Sequence, residues 1–181
     1  FDTGPGNVLM DSWIDRHEGK EFDKAGAWAA TGRVIDALLD QLLDEKYFGK
    51  TPPKSTGREL FNSKWLDAKI GALNYDPVDV QATLLELTAA TVAAAINSHS
   101  AAGEVYVCGG GAQNDALMQR LSDLLPKAQV GTTELLGVHP DWVEATAFAW
   151  ISRQTLAGIP IDTSALTGAS EPIVLGGIYK V

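Results

Sequence analysis

Cysteine is nearly absent: Cys108 is the only one in 181 residues. That excludes an intrachain disulfide framework and cysteine-based zinc fingers. One thiol, and no secretory-leader pattern at the start, fit a reducing cytosol. Long apolar runs are lacking too. The longest, Leu84 to Ile96, carries Glu86, Thr88 and Thr91 and is too short for a membrane span. Positive charge is scarce, with 14 Lys+Arg against 23 Asp+Glu and a formal net charge of -9. This argues against a general nucleic-acid binder. Phosphate binding stays open, because backbone amides hold anions without net positive charge. His17, His99 and His139 lie far apart with no metal-ligand spacing, and each reads as a surface or loop histidine. No Gly-x-Ser-x-Gly elbow occurs, and the glycine run at 109–111 is neither a Gly-x-Gly-x-x-Gly fingerprint nor followed by Gly-Lys-Ser/Thr.

What is present is an ordinary globular composition, 45% hydrophobic and 20% charged. Val8, Leu9, Trp13 and Ile14 predict a helix with Asn7 as N-cap. Asp15 to Lys24 reads as a polar loop. A second helix is expected from about Ala27 to Tyr47, with Asp36, Asp40 and Asp44 on its solvated face. Asp76-Pro77 marks the start of an apolar helix reaching about His99. Glu104 to Cys108 predicts a short buried strand that runs into three glycines and a helix stopped by Pro126. Cys108 then reads as a buried structural thiol. A weak strand at Ala128 to Val130, a helix from Asp141 to about Leu156 and a short strand at Ile173 to Leu175 follow. The rhythm is α/β, with too little sheet to cover helices this apolar: either the helices form a bundle or part of the sheet lies elsewhere.

Three segments could carry chemistry. In Val105-Tyr106-Val107-Cys108-Gly109-Gly110-Gly111-Ala112-Gln113-Asn114, a strand, a glycine turn and a helix can place free amides against an anion; a tight structural turn explains it equally well. In Asp2-Thr3-Gly4-Pro5-Gly6-Asn7, a carboxylate beside a rigid turn and a helix start suits a general base, unless Asp2 only caps the turn. In Pro140-Asp141-Trp142-Val143-Glu144, Asp141 and Glu144 have capping-box spacing, which ranks ahead of a polar-substrate contact by Glu144.

Together these residues resemble a known family. Phe1-Asp2-Thr3-Gly4-Pro5-Gly6-Asn7, with Leu9, Asp11 and Trp13, resembles the signature of anhydro-N-acetylmuramic acid kinases. The resemblance continues through Lys54-Ser55-Thr56-Gly57-Arg58-Glu59-Leu60-Phe61, Cys108 to Asn114, Pro140 to Ala145 and Ile173 to Gly176, in order along the whole chain. It implies an α/β fold of the ribonuclease H-like, actin-like ATPase type: a mixed sheet flanked by helices, with upstream strands missing. Residues 1–181 would be the C-terminal lobe of a two-lobed sugar kinase, and the chain's start at Phe1 fits entry in mid-sequence. The implied reaction is ATP- and Mg²⁺-dependent opening of 1,6-anhydro-N-acetylmuramic acid with phosphorylation of its 6-oxygen, in peptidoglycan recycling. Asp2 would be the catalytic base. Gly109, Gly110, Gly111 and Asn114 would face the nucleotide, and Gly4, Gly6, Asn7 and Glu144 the sugar. The implied partners are the chain's own N-terminal lobe and a second copy in a homodimer, in the bacterial cytoplasm, with no nucleic acid and no membrane. Two other readings are a nucleotide-binding lobe without turnover, and a glycoside hydrolase pairing Asp2 with Glu144. The glycine turn argues against the hydrolase, which has no nucleotide to seat.

Overall fold

Apolar side chains at helical spacing build most of the protein, and one short parallel strand pair completes it. The computed structural model describes residues 1–99 and 103–179. Helices α1 (Val8–Glu18), α2 (Asp36–Leu43), α3 (Ser63–Ile70) and α4 (Pro77–His99) come first. Strand β1 (Gly103–Val107), α5 (Asp115–Leu124) and β2 (Ala128–Thr132) form a βαβ unit, and α6 (Val143–Leu156) and α7 (Ser164–Thr167) follow. β1 and β2 pair in parallel, with Val105 opposite Val130. The expected mixed sheet is represented, among the described residues, by this pair and one lone antiparallel bridge between Ile161 and Ile173. The strand expected at Ile173 to Leu175 is no more than that bridge.

α4 is the spine. Asp76 precedes it and its carboxylate accepts from the Val78 amide at 3.2 Å, as the Asp-Pro start predicts. α1, α2 and α5 pack around it, burying Leu9, Leu38, Leu42, Phe61, Leu66, Leu84 and Leu87 in one core. Each such side chain contributes roughly 1.5–3 kcal/mol through burial. By length and composition α4 could cross a membrane, but 67% of its apolar window is buried against this protein. It serves here as a core helix.

Three local expectations fail for identifiable reasons. α1 extends through Asp15 to Glu18, ending at Gly19 in the left-handed region (φ 64°). The helix expected over Ala27 to Tyr47 shrinks to α2. Ahead of it the chain makes two tight turns, Lys24–Gly26 and Ala29–Thr31. α4 captures the backbone there: the Arg33 amide donates to Asp79 Oδ1 at 2.8 Å and the Ile35 amide to Thr83 Oγ1 at 3.0 Å. Those bonds replace helical ones. Finally, β1 is exposed or half-buried, not buried, and Cys108 is exposed. No described layer covers that end of the protein: α6 has no buried residue, and Trp142, Phe148 and Leu156 are 67%, 61% and 75% exposed.

Candidate active site

The opening turn is fixed to the loop after α2. The Asp2 amide donates to the Lys54 carbonyl at 3.3 Å, and the Tyr47 hydroxyl donates to the Asp2 carbonyl at 2.7 Å. The Asp2 carboxylate accepts twice on Oδ2, from Ser55 Oγ at 2.8 Å and from the Thr56 amide at 2.9 Å. The Thr56 amide chiefly, and Ser55 after it, hold the Asp2 carboxyl below the ordinary carboxylate range, against the opposing effect of burial. Asp2 is therefore an exposed, ionised and oriented carboxylate. Ser55 and Thr56 had no assigned role in the sequence; they lie 53 and 54 residues from Asp2, and only the fold joins them.

The glycines of this turn are structural. A Cβ on Gly4 would lie 3.0 Å from Thr91 Oγ1 and 3.1 Å from Phe48 Cε1. Gly6 has φ 56°, and its carbonyl accepts from the Thr88 hydroxyl at 2.9 Å. Asn7 stands before α1, but its side chain makes no capping bond. It turns instead toward the second motif, where a Cβ on Gly110 or Gly111 would come within 3.5 or 3.6 Å of its amide group.

The glycine turn leaves β1 at Gly109, whose φ of 71° favours glycine. The Gly109 amide donates to the Pro140 carbonyl at 3.0 Å. Gly110 and Gly111 then open a short 3-10 turn, Gly110–Gln113, whose first N–H groups have no partner within it. Asn114 is 7% exposed and its Oδ1 caps α5, accepting from the Leu117 amide at 3.0 Å. Its carbonyl oxygen is thus committed to structure.

Asn7, Gly110 and Asn114 line one cavity of about 410 Å³ with Met10, Asp11, Phe22, Lys24 and Gln113. Asp2, Gly4, Gly6 and Glu144 do not line it. Burial raises the half-buried Asp11 carboxyl, a push that Asp23 reinforces and Arg58 opposes. Asp23 itself accepts from the Trp28 and Ala29 amides at 2.9 Å each, shaping the loop that walls the cavity. The capping box expected at Asp141 and Glu144 is not formed. Trp142 occupies the cap position of α6 without a side-chain bond. Asp141 instead accepts from Gln113 Nε2, 2.9 Å to each oxygen, tying the Pro140 turn to the glycine turn. Glu144 stays exposed.

A family model described as anhydro-N-acetylmuramic acid kinase matches residues 1–181. The chain belongs to the anhydro-N-acetylmuramic acid kinase family. Relatives bearing that name include proteins of Coxiella burnetii (strain Dugway 5J108-111), 49% identical over 99% of this chain, and of Shewanella baltica (strain OS223), 51% identical over 99%. A third, from Pseudomonas savastanoi pv. phaseolicola (strain 1448A / Race 6), is 51% identical over 99%. The alignments cover 48%, 49% and 50% of those proteins, so the chain spans about half the length of the curated relatives it matches. The chain thus holds a clamped Asp2 carboxylate and, apart from it, a cavity lined by Asn7, Gly110 and Asn114.

Proposed function

We propose that the protein containing this chain is an ATP-dependent kinase that opens 1,6-anhydro-N-acetylmuramic acid and phosphorylates its 6-oxygen. Family membership supports the substrate class, and the Asp2 geometry carries the mechanism. Both hydrogen bonds to the carboxylate fall on Oδ2, and among the described residues Oδ1 has none. An ionised carboxylate with one free oxygen can take a proton from water. That water attacks the anomeric carbon, and the bond from that carbon to the bridging 6-oxygen breaks. The freed oxygen takes the γ-phosphoryl group of ATP, and ADP leaves. General-base catalysis of this kind contributes typically about 10²–10⁴-fold.

We assign ATP to the glycine-turn side. The amides at Gly110 and Gly111 suit a polyanion, and the cavity beside them has the size and mixed lining of a small-ligand site. Gly109 and Asn114 serve that side by shaping the turn and capping α5. Mg²⁺ would ride on the ATP phosphates and neutralise charge there, which asks few ligands of the protein. Asn7, beside the glycine turn, would face both substrates. Gly4 and Gly6 would keep the Asp2 turn in shape, and Glu144, free of capping duty, would reach the sugar from the Pro140 side.

The chain would act as the C-terminal lobe of an actin-like fold. An upstream lobe from the same polypeptide would supply the missing strands and close the cleft. The apolar side chains that α6 leaves exposed, Phe148 at 61% and Trp150 at 49%, are surface that further parts of the protein would cover. A homodimer and a bacterial cytoplasmic location complete the proposal. The test is an ADP-release assay on the intact protein with the anhydro sugar, with ordinary N-acetylmuramic acid and with neither. Turnover needs both ATP and the anhydro ring, and Asp2→Asn abolishes it while ATP still binds. Ring opening without nucleotide refutes the kinase; ATP binding with no sugar turnover indicates a nucleotide-binding lobe alone.

A further inference from the structure

We propose that Ser55 is a positioning residue for the catalytic carboxylate: with the Thr56 amide it fixes one oxygen of Asp2 and leaves the other to take the proton. The inference rests on the reading of Asp2 as the general base. Ser55 Oγ lies 2.8 Å and the Thr56 nitrogen 2.9 Å from the same Asp2 Oδ2. A carboxylate turns about its last torsion over a broad, roughly two-fold well. Two donors meeting on one oxygen remove that freedom and name which oxygen stays free. The backbone is held independently, through the Lys54 carbonyl at 3.3 Å and the Tyr47 hydroxyl at 2.7 Å. Only the Ser55 contribution is therefore open to side-chain substitution without releasing the turn, and Ser55 is exposed, so its removal leaves no buried cavity.

The same contacts act on the proton equilibrium. Donors to the ionised form favour it, and Asp2 is held below the usual range, first by Thr56 and then by Ser55. The other titratable groups around Asp2 are Tyr47 and Lys54. Burial chiefly, then Asp2 and Glu59, raise the Tyr47 hydroxyl, so it stays neutral in the working range. The Lys54 ammonium is held by the Tyr47 and Phe48 carbonyls at 3.4 and 3.3 Å. Comparing Ser55 with its variants holds both constant.

The experiment is the pH profile of kcat/KM for the intact protein carrying Ser55→Ala or Ser55→Thr. Ser55→Ala should lower kcat about tenfold, the factor one charge-assisted hydrogen bond commands. It should leave the sugar KM unchanged and move the acid limb to higher pH. Ser55→Thr, which keeps the hydroxyl, should restore both. A Ser55→Ala protein with unaltered melting temperature and an unmoved acid limb overturns the proposal, and so does a Thr variant that behaves like Ala. Titration of the Asp2 carboxyl by ¹³C NMR gives a second reading that needs no turnover: it should rise in Ser55→Ala, and an unchanged titration overturns the proposal. Failure of the kinase reading shows itself separately, as a wild-type protein without sugar-dependent ADP release.

Discussion

Gly26→Ala is expected to destabilise the chain far more than a glycine substitution of matched backbone geometry. Gly26 sits at φ 68° in the loop that walls the cavity, and Gly19 sits at φ 64° behind α1. Either alanine meets the left-handed penalty of about 1–2 kcal/mol, and either loses unfolded-chain entropy to a similar extent. Their surroundings differ. A Cβ on Gly19 meets nothing within 4 Å, whereas one on Gly26 would lie 2.2 Å from Asn114 Oδ1 and 2.6 Å from the Ala116 methyl. Asn114 must then give up its capping bond to Leu117, which is worth about 0.5–2 kcal/mol. Gly26→Ala should thus cost about 2–4 kcal/mol. In urea, its midpoint should fall below that of Gly19→Ala by about 0.5–1 M. Equal midpoints would refute the close approach of the loop to the α5 cap. In the intact protein the same substitution should weaken ATP binding, because the displaced Asn114 adjoins the glycine turn.

Two further outcomes follow from charge placement. Burial raises the Asp11 carboxyl, so the stability tied to its protonated form is lost as pH rises through its folded-state value. Asp11→Asn should therefore raise the melting temperature at pH 7, with the gain vanishing toward the ordinary carboxylate range near pH ~4; a gain independent of pH contradicts the assignment. Arg120 Nε and Nη2 meet Glu86 Oε2 and Oε1 at 2.6 and 2.9 Å, joining α5 to α4. The Glu86 side chain is only 12% exposed. Arg120→Ala should cost about 1–3 kcal/mol by leaving that carboxylate unpaired, at the low end because Arg120 is itself 39% exposed. Pairing it with Glu86→Gln should recover part of the loss in a double-mutant cycle.

Local chemistry made several elements legible in the sequence. Asp76-Pro77 fixed the start of α4, and the strand, glycine turn and helix from Val105 to Leu124 needed only neighbouring residues. The region from Ala27 to Ile35 was not legible, because Asp79 and Thr83, more than forty residues on, take its amides. The apolar periodicity there belongs only partly to a helix: Leu38 and Leu42 are buried, while Val34 is 41% exposed. Cys108 could not be placed from its neighbours, since its burial depends on what covers β1. The site followed the same division. Asp2 and the glycine turn stood out by motif, yet the two residues that orient Asp2 sit in a remote loop. Glu144 looked like a capping partner until Asp141 proved committed to Gln113.

The most direct measurement is ADP release by the intact protein, followed with the fate of the sugar. The account predicts one ADP for each anhydro ring opened, a 6-phosphorylated product, and loss of both in Asp2→Asn with ATP affinity retained. Ring opening without ATP, or full turnover by Asp2→Asn, would contradict it.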